Sequence, residues 1–395
     1  MRVLHVTHNY PRFPADPAGG FVSRLGRAAV ATGATVRVIV PHTPGLPFEM
    51  NDGGLEVRRF RYAPDGLERI GFQGDVRRSM FSPAALLAAP GYLWQFRAAV
   101  RRAIDEFQPD IVHAHWWLPG GWAATRQSRV PVVITCHGSD VRLLGKSALL
   151  RRLARGVFGR ARAITTVSSI MRGDIRELMP GLEATVRLDV CPLPIEVALF
   201  ERGAALPKAD PPRILFAGNL IAAKGVDVLL RAFAKVVARG IPCRLKLLGE
   251  GAAKPELARL AESLGVGALI DWSTFVPMDR MPEEYGAATI VALPSRGHRG
   301  EGMPLSLAEA LIGGAAVVAT PAGGVPEIIH DGETGLLVPD GDDAALAGAI
   351  GSLLLDPALR TRLVRAGRAS SLDRFAPGPA AAAFLSLFEE VRRVG

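Results

Sequence analysis

Cysteine is scarce in this chain. Cys136, Cys191 and Cys243 are the only three in 395 residues, and no two stand in a CxxC or other paired spacing, which excludes both a disulfide framework and a structural zinc site. Long apolar runs are absent too, since no stretch of about 18 uncharged apolar residues occurs, as a spanning helix would need. The opening segment "MRVLHVTHNY" turns polar after seven residues, shorter than the apolar core of a signal peptide. These absences lead us to expect a cytoplasmic protein. No fixed repeat and no low-complexity tract interrupts the sequence. What is present suffices for globular folding: 49% of residues are apolar and 22% charged.

A chain of this length is too long for one hydrophobic core and is expected to split into two domains. Short β-rich runs alternate with helix-length segments in both halves. "RVLHVTH", "TVRVIVP", "DIVHAH", "VPVVITC" and "AITTVS" come first, then "RILFAG", "CRLKLLG", "LIDWSTF", "TIVALP" and "AAVVAT". That order predicts βαβ units and parallel sheets. The expected fold class is therefore α/β, with two tandem Rossmann-like doubly wound domains over 1–200 and 211–375. "ERGAALPKADPP" reads as the linker between them. A C-terminal helix over 376–395, with an apolar stripe at Ala382, Phe384, Leu385, Phe388 and Val391, caps one domain or crosses back to the first.

Charge is uneven. Residues 1–195 carry 26 Lys and Arg against 15 Asp and Glu, whereas 196–395 carry 21 against 23. An excess confined to one half suits an anionic partner such as a membrane surface, a lipid phosphate or a nucleic acid, or else simply a solvated basic face. In "GKSALLRRLARGVFGRARA", Leu149, Leu150, Leu153 and Val157 fall on one helical face and Arg151, Arg152 and Arg155 on another. Such a helix packs on the sheet or rests on an anionic membrane.

The sharpest motif is "EGMPLSLAEALIGGAAVVAT", directly after the strand "TIVALPS". Glu301 and Glu309 flank a Gly302-Met303-Pro304 turn and the start of a helix, Glu301 before it and Glu309 about a turn and a half inside it. A helix N-terminus after a parallel strand presents free N–H groups to an anion such as a diphosphate. Carboxylates on either side of it can bind hydroxyls, as the sugar and ribose of a nucleotide sugar require. Upstream, "ILFAGNLIAAKGVDVLLRAF" places Lys224 before Gly225. In the first half, "PADPAGGFVSRL" sets Gly19 and Gly20 between strand and helix, where glycine allows close backbone approach. "VPVVITCHGSDV" ends a strand on His137, with Asp140 as a helix cap or site residue, and "PDIVHAHWWLPGG" carries His113, His115, Trp116 and Trp117. Being two apart on a strand, His113 and His115 are expected on opposite faces and so unable to share a metal ion. Trp116 and Trp117 either stack on an acceptor or pack beneath the loop. The "DGD" at 340–342 precedes a helix, so Asp342 or Asp343 is read as its N-cap rather than as a metal ligand.

On these motifs the chain resembles the retaining glycosyltransferases of family 4, of GT-B fold, over nearly its whole length. The resemblance implies a donor sugar held in a cleft between the domains. It assigns Glu301 to the donor sugar, Glu309 to the ribose and Lys224 to the diphosphate. Where the family has a second phosphate-binding cation, an arginine, this chain has Asn219, which lacks charge and a bidentate fork. The implied catalytic residues are His137, Glu301 and Lys224. Donor contacts are expected from Gly20, Asn219, Lys224, Val276, Glu301, Gly302, Met303, Pro304, Leu305 and Glu309, with base preference set around Phe275 and Val276. Acceptor contacts are expected from Gly19, His115, Trp116 and Asp140, with acceptor choice made in the loops of 41–95.

The expectation is a metal-independent hexosyltransferase without cofactor. It would move a hexose from a GDP-mannose or UDP-glucose type donor to a glycan or lipid-linked acceptor in cell-envelope or exopolysaccharide synthesis, peripheral to the inner face of the plasma membrane, and it would bind no nucleic acid. Positive groups and helix dipoles would offset the charge of the leaving diphosphate. Two other readings stand beside it. A Rossmann oxidoreductase or epimerase would want GxGxxG after the first strand, where the chain has "PADPAGGF". A catalytically silent nucleotide-sugar binder or scaffold is favoured by Asn219.

Overall fold

The computed structural model of the chain describes residues 1–13, 16, 18–68, 83–126, 129–274, 276–297 and 301–393. It falls into two compact units, one of Met1–Pro194 with Pro377–Gly395 and the other of Ile195–Ala376. Phe275 and part of the 41–95 stretch lie outside the described residues.

The first unit holds strands β1 (Arg2–Val6), β2 (Thr35–Pro41), β3 (Glu49–Asp52), β4 (Leu55–Phe60), β5 (Ile111–His115), β6 (Val132–Cys136), β7 (Ala163–Thr166) and β8 (Arg187–Val190). They form one sheet in the order β3-β4-β2-β1-β5-β6-β7-β8. Every neighbouring pair is parallel except the β3–β4 hairpin at the edge. The central strands are apolar on both faces because helices cover both: Val3, Leu4, Val6, Ile111, Val112, Val133 and Ile134 are all buried. Each such Val, Leu or Ile stabilises the fold by roughly 1.5–3 kcal/mol relative to an exposed one.

The second unit holds β9 (Arg213–Ala217), β10 (Arg244–Leu248), β11 (Ile270–Ser273), β12 (Ile290–Leu293), β13 (Ala316–Ala319) and β14 (Leu336–Leu337). They run in the order β11-β10-β9-β12-β13-β14, all parallel. In both sheets the strand order reverses beside the first strand of the unit, at β1/β5 and at β9/β12. Loops leaving the carboxyl ends at such a reversal diverge and leave a crevice, where ligands of open α/β sheets bind.

Three local expectations are corrected. The predicted linker begins inside a helix, Val197–Ala204, whose Phe200 belongs to the core of the second unit. Its Gly203 lies so close to the Pro282 carbonyl that an added Cβ would sit 2.3 Å from the oxygen. The break between units is thus at Pro194, and composition misled because a short alanine-rich helix resembles a linker. The C-terminal helix, Pro377–Arg393, buries Ala380, Ala381, Phe384, Leu387, Phe388 and Val391, while Ala382 is exposed. In the basic helix, Ala148–Phe158, the buried face is Ala154, Val157 and Phe158, leaving Leu149 at 65% and Leu153 at 53% exposure.

Candidate active site

In the second unit, the loops after β9 and β12 carry the residues expected to hold the donor. Lys224 ends a short 3-10 turn, Ala222–Lys224, and Gly225 caps the following Val226–Ala238 helix with φ +63°. Glycine is required there, because an added Cβ would lie 2.0 Å from the Pro294 carbonyl oxygen at the end of β12. This close approach sets the Lys224 turn against the β12 loop. Lys224 Nζ consequently donates to Glu301 Oε1 at 2.5 Å, and Ser295 Oγ donates to the same oxygen. Both charged side chains are mostly buried, at 20% and 9% exposure. The turn after β13 braces the motif from behind: Gly323 abuts the Glu301 carbonyl, and Gly324 N donates to Gly302 O.

The Leu305–Ile312 helix begins at Pro304, but part of its N-terminus is already satisfied. Leu305 N bonds Met303 O and Leu307 N bonds Pro304 O. Fewer backbone N–H groups are therefore open at this helix start than the sequence implied. Met303, Leu305 and Val276 are partly buried against the unit's core, whereas Asn219 is exposed beside the Lys224 turn. Glu309 is 7% exposed, and its carboxylate is hydrogen-bonded by the buried Tyr285. Burial first, and the Glu309 charge second, hold the Tyr285 hydroxyl well above its usual pKa. Nothing in the sequence pattern singled out Tyr285 or Ser295. Behind the same loops, Arg374 donates to the carbonyl and the carboxylate of Glu327. Asp342 Oδ1 accepts from Ala344 N and Ala345 N, so the "DGD" is a helix cap.

In the first unit, Gly19 (φ +67°) caps the Gly20–Ala31 helix, and an added Cβ there would sit 2.4 Å from Asn9 O. His137 leaves β6 surrounded by rings, with Phe21 and Trp116 centroids each 4.5 Å away. Trp116 is 8% exposed, with a left-handed φ of +62°, and its Nε1 donates to Ser139 Oγ. It is a wall of the His137 pocket rather than an open stacking platform, and backbone strain of this kind persists only where surrounding packing enforces it. Trp117 is buried at 1% and donates Nε1–H to Asp140 O, which settles it as packing. Asp140 is 2% exposed. Its carboxylate accepts from the backbone N–H groups of His137, Gly138, Val141 and Trp117, so it shapes the turn instead of meeting an acceptor. Burial outweighs those hydrogen bonds and raises its pKa.

The expectation for His113 and His115 is wrong. Side chains alternate along a strand with period two, so i and i+2 share a face, and the two rings lie 4.3 Å apart. With His5 on β1 they form a group whose ring nitrogens lie within 4.8 Å of one another. His115 also hydrogen-bonds His137 at 3.1 Å. Burial depresses every one of these imidazoles: His5 and His137 fall to about 3, His8 to about 4, and His113 and His115 well below the usual value. All are neutral at physiological pH. His5 and His8 were not anticipated, because "LHVTH" sets them three residues apart, without the i, i+2 alternation of "VHAHW".

Comparison with known proteins follows the same division. Residues 18–197 match the family model "Glycosyltransferase Family 4", and residues 200–370 match "Glycosyl transferases group 1". The chain is 34% identical to a D-inositol 3-phosphate glycosyltransferase of Acidothermus cellulolyticus, over 72% of this chain and 68% of that protein. It is 32% identical to one of Xylanimonas cellulosilytica, over 95% and 93%. Among solved structures, sucrose-phosphate synthase from Thermosynechococcus elongatus is similar with a TM-score of 0.78 at 22% identity, covering 100% and 99% of the two chains. The Anabaena HepE protein in complex with UDP is similar at 0.70 and 18% identity, covering 99% and 100%. These structures share the fold of two parallel-sheet α/β domains called GT-B. No helix among the described residues is long and apolar enough to cross a membrane. With these family matches over both units and the Lys224–Glu301 pair at the β9/β12 reversal, the chain belongs to the family 4 glycosyltransferases and is an enzyme of glycosyl transfer from a nucleotide sugar.

Proposed function

We propose that the protein is a retaining, metal-independent hexosyltransferase, whose second unit holds a nucleoside-diphosphate sugar and whose first unit holds a phosphate-bearing acceptor. The Lys224–Glu301 pair carries this reading. A cation for the diphosphate and a carboxylate for sugar hydroxyls stand together at the reversal of the sheet, as a nucleotide sugar demands. Glu309 takes the ribose, with Tyr285 orienting its carboxylate. His137 contacts the transferred sugar from its aromatic pocket. Among the described residues no side chain is placed as a nucleophile, and in the front-face transfer that the family resemblance implies, the acceptor oxygen bonds to the anomeric carbon on the face that the diphosphate leaves. The departing phosphate oxygen takes the acceptor proton. Asn219 supplies no charge, which leaves Lys224 as the main offset to the leaving group.

The anionic acceptor is supported by the basic excess of residues 1–195 and by relatives named for transfer to D-inositol 3-phosphate. A lipid-linked or glycan acceptor of cell-envelope or exopolysaccharide synthesis is the second reading, favoured by exposed Leu149 and Leu153 beside exposed Arg152 and Arg155. That patch suits an anionic membrane surface.

The test is calorimetric titration of UDP-glucose, GDP-mannose, UDP and GDP into wild type and Glu309→Ala, then turnover with inositol phosphates and with anionic vesicles carrying lipid phosphates. Micromolar binding of one base class, weakened in Glu309→Ala, supports the donor assignment. Binding without turnover on any acceptor favours the silent binder.

A further inference from the structure

His5, His113 and His115 lie on the adjacent parallel strands β1 and β5, and His137 directly follows β6, with His5 paired to His113 across β1/β5 and His115 paired to Thr135 across β5/β6. His5, His113 and His115 are at most 1% exposed. His5 Nδ1 lies 2.9 Å from His115 Nε2, and His115 Nδ1 lies 3.1 Å from His137 Nε2. The three rings are nearly parallel along this line, tilted by 17° and then 27°. His113 stands to one side of it, with Nε2 on Thr135 Oγ1 at 2.6 Å and no partner for its buried Nδ1. Phe384 and Phe388 of the C-terminal helix cover that ring.

A neutral imidazole has one N–H and one lone pair. His115 spends one nitrogen on His5 and the other on His137, so its tautomer cannot change without changing both neighbours. Two arrangements satisfy the chain, and each is all-or-none. If His5 Nδ1–H donates, His115 Nδ1–H donates in turn and His137 carries its proton on Nδ1. If His137 Nε2–H donates, the order reverses and His137 Nδ1 is a lone pair. Burial removes the charged alternative, because every member is held neutral. Which nitrogen of a working histidine bears the proton is set by the bond the other nitrogen makes.

We propose that His115 and His5 are positioning residues that fix the tautomer of His137 through this hydrogen-bonded chain, so that His137 meets a sugar hydroxyl with one defined Nδ1. The proposal rests on the placement of His137 in the transfer site given above. His5, His113 and His115 also stand close enough to share a transition-metal ion, but His5 Nδ1 and His115 Nε2 are spent on each other, and a metal there would bring uncompensated charge into an apolar layer.

The test uses the full chain labelled with 15N-histidine. Long-range 1H–15N spectra report the tautomer of each ring, and calorimetry and turnover are measured alongside. In wild type, His137 shows a single tautomer. In His5→Phe, which removes a group that never touches His137, the His137 signals average or exchange positions. Turnover falls roughly ten- to hundredfold, the range for removing a partner that orients a working imidazole, while donor affinity moves less than about threefold. His5→Asn restores a polar atom near Nδ1 and recovers both the single tautomer and most of the turnover, which separates the chain from simple packing. An unchanged His137 spectrum in a folded His5→Phe overturns the proposal, as does one equivalent of metal in the purified protein. An altered spectrum with unaltered turnover upholds the chain and refutes instead the role of His137 in transfer.

Discussion

The first unit should be unusually sensitive to mild acid. His5, His113 and His115 are fully buried and neutral, with folded pKa values far below the unfolded 6.5. Between those values the unfolded chain binds protons that the folded chain cannot, so stability is present above pH 6.5 and is lost as pH falls below it. From pH 7.0 to pH 5.5, one such histidine removes about 1.3 kcal/mol, and three remove about 4 kcal/mol. His8 and His137 add to this in proportion to their burial. Asp140 acts in the opposite sense. Its raised pKa gives stability that is present below 3.8 and lost as pH rises through the folded value, which softens the acid end of the curve. For a unit of this size, about 4 kcal/mol lowers Tm by roughly 8–16 °C. Tryptophan fluorescence reads this unit selectively, since Trp94, Trp116, Trp117 and Trp122 belong to it and only Trp272 to the other. His113→Phe, which replaces a ring already packed on Phe384 and Phe388, should reduce the acid loss by about a third. A Tm that moves less than about 3 °C over this range, or an unchanged slope in His113→Phe, would show that the cluster is not held neutral by burial.

Four further outcomes are expected. Glu301→Gln frees Lys224, so UDP or GDP should bind at least as tightly as to wild type, while turnover of the nucleotide sugar falls about a hundredfold or more. Lys224→Met should weaken the same diphosphate about 10- to 100-fold in calorimetry, the effect of one lost charged hydrogen bond of roughly 1.5–3 kcal/mol; equal losses in both variants would contradict separate roles. Gly225→Ala forces a Cβ onto the Pro294 carbonyl at a left-handed φ, and should cost at least about 2 kcal/mol in denaturant unfolding of the second unit, together with donor binding. Asp342→Ala should cost about 0.5–2 kcal/mol as a lost cap, with turnover unchanged; a parallel loss of activity and of metal sensitivity would restore the metal reading of "DGD".

Much of this protein was legible without coordinates because its signals are local. Runs such as "RVLHV" and "AAVVAT" are apolar on both faces, which only a covered parallel strand requires, and their alternation with helix-length segments set the fold class. Lys224-Gly225 and the Glu301 to Glu309 segment could be read as a donor site because strand, turn and helix follow one another directly in the chain. The amphipathic β3–β4 hairpin was missed, since its alternation is short and its "NDGG" turn looks like any loop. The Val197–Ala204 helix was taken for linker, since alanine and charge do not reveal that Gly203 packs on Pro282.

What only the tertiary structure decided are the pairings between distant segments. Lys224 and Glu301 are 77 residues apart, and only the β9/β12 neighbourhood joins them. Tyr285 reaches Glu309 because their helices belong to one core, which no spacing in the sequence encodes. His5 meets His115, and His115 meets His137, through strand order β1-β5-β6. The sequence determined which residues form strands and which loops carry chemistry, because periodicity and turn chemistry act over a few residues. Strand order and burial decided which of those residues touch and in what protonation state, because both depend on where the whole chain returns.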